Sequence, residues 1–181
     1  MNDVIHFNSC VILTQPLKPI FTSLKKYNQM EIEQTITVLN SLITINNDRI
    51  EGYETASKET DEQDLKTLFA EFSSTSQKCK NELVAEVTKL GGEPAQGTIM
   101  SGKFFRVWMD VKAALTGKDR KTILSSCEYG EDVAQETYEK VLENEAEKLN
   151  AELHTMLMAQ KSLLLADHNK VKSMRDLVMV D

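Results

Sequence analysis

Residues 32–53 read IEQTITVLNSLITINNDRIEGY. Steps of three and four from Ile32 give Ile36, Leu39, Ile43, Asn46, Ile50 and Tyr53, the apolar stripe of a bundle helix with one core position given to an amide. Three further segments carry a polar interruption near their centres. One runs Leu65, Phe69, Phe72, Ser76, Cys79, Leu83 and Leu90; the next runs Leu124, Cys127, Glu131, Ala134, Tyr138 and Val141. The last reads Leu153, Leu157, Gln160, Leu164, His168 and Val171, which puts His168 on the inward face. A polar layer across four helices is the place where bundles build metal sites, so its composition bears directly on function.

At 181 residues the chain has the size of one domain able to bury a core without disulfides or structural metal. A net charge of −7 and the lack of a basic stripe argue against a nucleic-acid partner. Lys112, Lys118, Arg120 and Lys121 come closest, and Asp110 and Asp119 dilute them. No run approaches the roughly 18 apolar residues of a membrane span. The cysteines, Cys10, Cys79 and Cys127, are odd in number and form no CxxC pair, which suits free thiols in a reducing cytoplasm.

Asn28 and Glu31 have the spacing of a helix N-cap and its third position, so helix one is expected from about Gln29 to Thr55. This divides the chain into an appendage, residues 1–28, and a bundle, residues 29–181, with Met30 as a candidate natural start of translation. Thr60 with Gln63 has the form of a capping box for helix two, which Gly91 and Gly92 stop and Pro94 keeps from resuming. Residues 91–117 form a long connection holding a short amphipathic helix, with Phe104, Val107, Trp108, Val111 and Leu115 at helical spacing and Trp108 as its anchor. Asp119 is the expected N-cap of helix three, and an Asn144 and Glu147 pattern opens helix four, which runs to about Leu177. With almost no strand signal, the expected fold is all-α: a ferritin-like four-helix bundle of two antiparallel hairpins joined by a long crossover.

A dinuclear iron or manganese site in such a bundle takes a Glu from each of two helices and a Glu-x-x-His from each of the others. The corresponding positions are Asn46, Ser76 with Cys79, Glu131, and Leu165 with His168. Only Glu131 and His168 have suitable chemistry, and neither an amide nor a hydroxyl replaces the charge of a bridging carboxylate. The favoured reading is a hydrogen-bonded network in which Glu131 faces His168, and Asn46 and Ser76 complete the layer. The competing reading is a single-metal site of Cys79, Glu131 and His168 suited to zinc. Cys79 and Cys127 are alternatively a redox pair or small apolar fillers. Asp48, Arg49, Glu51 and Glu54 read as a solvated face. His154 and His6 lack partners at metal spacing, and no phosphate loop or HExxH motif occurs.

Four stretches carry a family likeness: LNSLITINNDRIEGYE (39–54), LGGEP (90–94), WMDVKAALTG (108–117) with CEYGED (127–132), and HNKVKSMRD (168–176). Over about residues 30–176 the chain resembles an uncharacterised bacterial family of ferritin-like four-helix-bundle proteins. The resemblance implies a bacterial protein of unknown biochemical role, connected with stress responses. Departures at Asn46, Ser76, Cys79, Ala134 and Leu165 keep iron oxidation or storage from being carried over, and leave Glu131 and His168 as vestiges of a metal site. The expectation is therefore a cytoplasmic, non-catalytic interaction or stress-associated bundle without cofactor. The alternative is a metal-binding oxidoreductase using iron, manganese or zinc. The apolar tail, Leu177 to Val180, is a candidate for contact with a second copy or another protein, or for folding back on its own core.

Overall fold

A computed structural model describes residues 18–98, 103–117 and 119–178, and side chains from residue 28, with those of 103–105 left out. The described residues are helical, with no strand among them. The elements are α1 (Lys18–Glu59), α2 (Gln63–Lys89), α3 (Lys103–Gly117), α4 (Arg120–Asn144) and α5 (Ala151–Val178), with one 3₁₀ turn at Ala146–Lys148. The short links after α1 and α4 make α1 and α2, and α4 and α5, packed neighbours; α3 lies on α4 and α1. No helix among the described residues is long and apolar enough to cross a membrane.

Several boundaries differ from those expected. α1 begins at Lys18, so Asn28 and Glu31 lie inside it. No breaker follows Pro19 until Gly52, and proline is tolerated in a first turn. Residues 1–17 lie outside the described part. Thr60 accepts from the amide of Glu62 at 3.2 Å and belongs to the turn, so α2 starts without a side-chain cap. Asn144 ends α4; Asn150 caps α5 through the Leu153 amide at 2.8 Å. Asp119 caps α4 as expected, its carboxylate accepting from the Thr122 amide at 3.1 Å. Gly91 closes α2 at φ 79°, where the Gly92 and Gly91 amides bond back to Val87 and Thr88 at 2.9 Å.

Two apolar clusters fill the interior. One gathers Leu39, Leu42 and Ile43 with Leu83, Tyr138, Leu157 and Leu164; the other gathers Tyr53, Phe69 and Phe72 with Val107, Val111, Leu124 and Val171. On the four long helices Asn46 with Arg49, Ser76, Glu131 and Asp167 fall between the residues of these clusters, while Gln160 lies within the first. The polar layer is a partition through the core.

Trp108 fixes α3 to the bundle. Its ring packs edge-on to Tyr53 at 4.9 Å, over a glycine: a Cβ on Gly52 would lie 1.7 Å from the indole Cε2. Only glycine lets α3 approach α1 this closely. Along the other part of α1, Asn40 holds the Ala95 amide at 2.8 Å and the Glu93 carbonyl at 3.0 Å, and Asn47 donates to the Gly97 carbonyl at 2.9 Å. The connection is thus strapped along α1.

Candidate functional site

The centre of the partition is Arg49. Its side chain is 1% exposed, which corrects the solvated face expected from Asp48, Arg49, Glu51 and Glu54: Asp48 is buried too, and only Glu51 and Glu54 face solvent. The periodicity misleads here because α2, α3, α4 and the strapped connection surround this part of α1, leaving it little outward face.

Three groups, one from each of the other long helices, receive the guanidinium. Nη2 lies 2.8 and 2.7 Å from the two carboxylate oxygens of Glu131 on α4, and Nε donates to Glu131 Oε1 at 3.3 Å. Nη2 also reaches Asp167 on α5 at 3.1 Å, while Nη1 donates to the hydroxyl of Ser76 on α2 at 2.5 Å. The Tyr53 hydroxyl donates to the same Glu131 carboxylate, and Thr75 donates to Asp167 at 3.4 Å. Glu131 and Ser76 are wholly buried and Asp167 nearly so. A buried carboxylate is costly unless paired and hydrogen-bonded; Glu131 has both compensations.

A second, neutral tier lies beside the ionic one. Asn46 donates to Tyr138 at 2.8 Å, Tyr138 donates to Gln160 at 2.9 Å, and the Gln160 amide donates to the Cys79 carbonyl at 3.2 Å and to Glu82 at 2.8 Å. Asn46 also caps its own helix interior by bonding the Leu42 carbonyl at 2.8 Å. Each tier therefore draws on α1, α2, α4 and α5, and a slip of any helix would break several bonds at once.

Charge and burial set the protonation states together. Burial pushes the Arg49 pKa down, but Glu131 and then Tyr53 and Asp167 raise it overall, so the guanidinium stays charged. Burial, reinforced by Glu131, holds the Tyr53 hydroxyl well above its ordinary value and keeps it a donor. Asp167 is raised to about 6, by burial first; Arg49 opposes the shift and Glu131 adds to it. One cation facing two carboxylates leaves a surplus negative charge, and Asp167, the more weakly bonded carboxylate, is where a proton relieves it.

Of the expected layer, Asn46, Ser76 and Glu131 lie in it, and Cys79 is buried beside it. His168 does not occupy the inward position read for it: Asp167 does. His168 lies toward the rim, with Nε2 2.9 Å from Asp132 and 3.9 Å from Glu128. α5 takes a step of three after Leu164 where the sequence reading took four, since the carboxylate gains Arg49 by turning inward. The same register leaves Leu165 exposed. Thus Glu131 meets Arg49 and Tyr53, and not the histidine. Cys79 and Cys127 are free and buried. Among the described residues no group of three or more His, Cys, Asp or Glu side chains is placed to share a metal ion.

Sequence reasoning missed Arg49 and Asp167. A signal existed: Arg49 lies three residues after Asn46 and four before Tyr53, on the stripe those residues define. Glu131 on an otherwise apolar face also required a cation, and Arg49 was the candidate on the same layer.

The fold and its centre thus define a class, an all-helical bundle whose core is divided by a buried ionic network. A family model described as "Domain of unknown function (DUF2383)" matches residues 34–144, and the chain belongs to that family. The match takes in Asn46, Arg49, Tyr53, Ser76 and Glu131; Gln160 and Asp167 lie beyond it on α5. No curated protein matches the chain.

Proposed function

We propose that the protein is a non-catalytic, ferritin-like four-helix bundle, bacterial and cytoplasmic, in which an internal guanidinium takes the place that bound cations hold in metal-carrying bundles. In this reading α1 with α2 and α4 with α5 are the two hairpins, and the segment bearing α3 is the crossover. The protein acts through its surface, as an interaction or stress-associated protein.

The observation that carries the reading is the position of Arg49, whose guanidinium is bonded to Glu131, Asp167 and Ser76 from three neighbouring helices. Arginine is permanently charged and donates in a fixed plane, so it satisfies several inward-facing acceptors without exchange or redox chemistry. Two carboxylates leave one surplus negative charge against one such cation, which a proton on Asp167 relieves; two divalent ions would demand more negative charge and open coordination positions. Buried Tyr53 and Tyr138 act as hydrogen-bond donors within the same partition.

Elemental analysis of protein purified without an affinity tag or chelator tests this. The expected result is iron, manganese and zinc far below one ion per chain, unchanged in Glu131→Ala. Near-stoichiometric metal that disappears in that variant contradicts it and favours the metal-dependent oxidoreductase.

A further inference from the structure

The outer face of α5 carries a long uncharged stretch. Between Glu152 and Lys170 no exposed position of the helix carries a lysine, arginine or carboxylate. Thr155, Met158, Ser162, Leu165 and Asn169 follow one another at steps of three and four, the spacing of a helix-pairing seam. Met158 and Leu165 are 47% and 46% exposed, while the opposite side of the helix already packs Leu157, Leu164 and Val171 into the core. α5 has an apolar side that the core covers and an uncharged side, bearing Met158 and Leu165, that the described residues leave exposed.

We propose that this face pairs with the same face of a second copy of the chain, antiparallel, about a two-fold axis near Ser162. Charge at the seam's ends sets the direction. Glu152, its side chain 86% exposed and only loosely paired with Lys89 at 3.9 Å, stands at one end; Lys172, beside the Lys170 that pairs with Glu71, stands at the other. Antiparallel pairing brings each Glu152 to the lysine end of its neighbour; parallel pairing stacks like on like. Size agrees with this direction. Met158 meets Leu165 of the second copy along one edge of the seam. Ala159 meets Ala166 along the other, where small side chains let the helices close.

From Thr155 to Asn169 the seam is about 21 Å long at the rise of an α-helix. A single helix pair falls at the small end of specific interfaces, so the dimer is weak and concentration-dependent. The chain's net charge of −7 opposes self-association elsewhere, and the uncharged seam is where that opposition is least. The pairing rests on surface residues alone; it stands or falls separately from the reading of the interior.

Sedimentation velocity of the full chain, from micromolar to about 1 mM, is the test. The expected result is a monomer–dimer equilibrium that Leu165→Glu shifts to monomer with an unchanged helical circular dichroism spectrum, whereas Leu177→Glu leaves it intact. In a Cys10→Ser background, Ser162→Cys should give a covalent dimer under mild oxidation. A monomer at every concentration, a dimer indifferent to Leu165→Glu, or no cross-link through position 162 overturns the proposal. So does a monomer in which Leu165 becomes accessible only when residues 1–17 are removed, which would assign the face to the chain's own N-terminal segment.

Discussion

Arg49 and Glu131 form a two-oxygen contact across the interior, with Nη2 at 2.8 and 2.7 Å from the carboxylate oxygens and both side chains at most 1% exposed. The residues belong to different packed helix pairs, α1 with α2 and α4 with α5. Their contact is therefore tertiary, and it joins the halves of the bundle at the level where the two apolar clusters part. Pairs of this kind add little over a well-packed apolar core, but losing one partner is costly because the other charge is left buried. The pair fixes which arrangement of helices is tolerated.

Tyr53 supplies the remaining hydrogen bond to that carboxylate. Tyr53→Phe should destabilise the fold by about 1–3 kcal/mol, the cost of withdrawing a donor from a buried charged acceptor. Urea unfolding followed by circular dichroism measures it; a change within error would mean that Arg49 alone satisfies Glu131.

Asp167 should make stability depend on pH. Its pKa is about 6 in the folded chain against an ordinary 3.8, so folding is coupled to proton uptake. The stabilisation from that proton is complete below the unfolded value and is lost as pH rises through about 6. The groups around it are Arg49, Glu131 and Cys79 from α1, α4 and α2. Between about pH 7 and about pH 5 the native chain should therefore gain stability relative to Asp167→Asn. Parallel urea midpoints for the two proteins across that interval would contradict the assignment.

Gly52→Ala should displace α3. The new methyl would overlap the Trp108 indole, whose nearest atom lies 1.7 Å from the Cβ position, and ring and helix must move together. A loss of about 1–3 kcal/mol is expected from such overpacking. In the Trp108→Ala background the same substitution should cost much less, because the clash is gone. Equal costs in both backgrounds would show that α3 does not depend on this contact.

Cys79 and Cys127 should be unreactive in the native state. Both are buried, and burial pushes the Cys79 thiol up to about 11 and the Cys127 thiol further still. In a Cys10→Ser variant, a thiol reagent at mildly alkaline pH should label neither until denaturant is added. Rapid native labelling of either would reveal an opening of the core.

The helices were legible in the sequence because their stripes are long and regular. The seam from Leu124 to Val141 is buried residue for residue, and the one from Leu65 to Leu83 likewise. The existence of a polar layer was legible too, since Asn46, Ser76 and Glu131 interrupt those stripes. Its cation was not. Asp48, Arg49, Glu51 and Glu54 have the composition of a solvated face, and only the helices and the strapped connection around α1 bury the first two. Nor was the register of α5 decided by spacing: Asp167 and His168 are equally placed to follow Leu164, and the choice falls to Arg49 on another helix. Local pattern locates a helix face to within a residue, and long-range electrostatics selects between the two that share its edge.

The ionic centre is tested most directly by a double-mutant cycle between Arg49→Met and Glu131→Leu, read as urea unfolding free energies. Arg49→Met alone should cost about 3–5 kcal/mol by leaving Glu131 buried without its cation, and adding Glu131→Leu should restore a large part of that loss. Costs that simply add, with the double variant less stable than the unsubstituted chain by the full sum of the two, would mean that Arg49 and Glu131 do not hold the core as a pair.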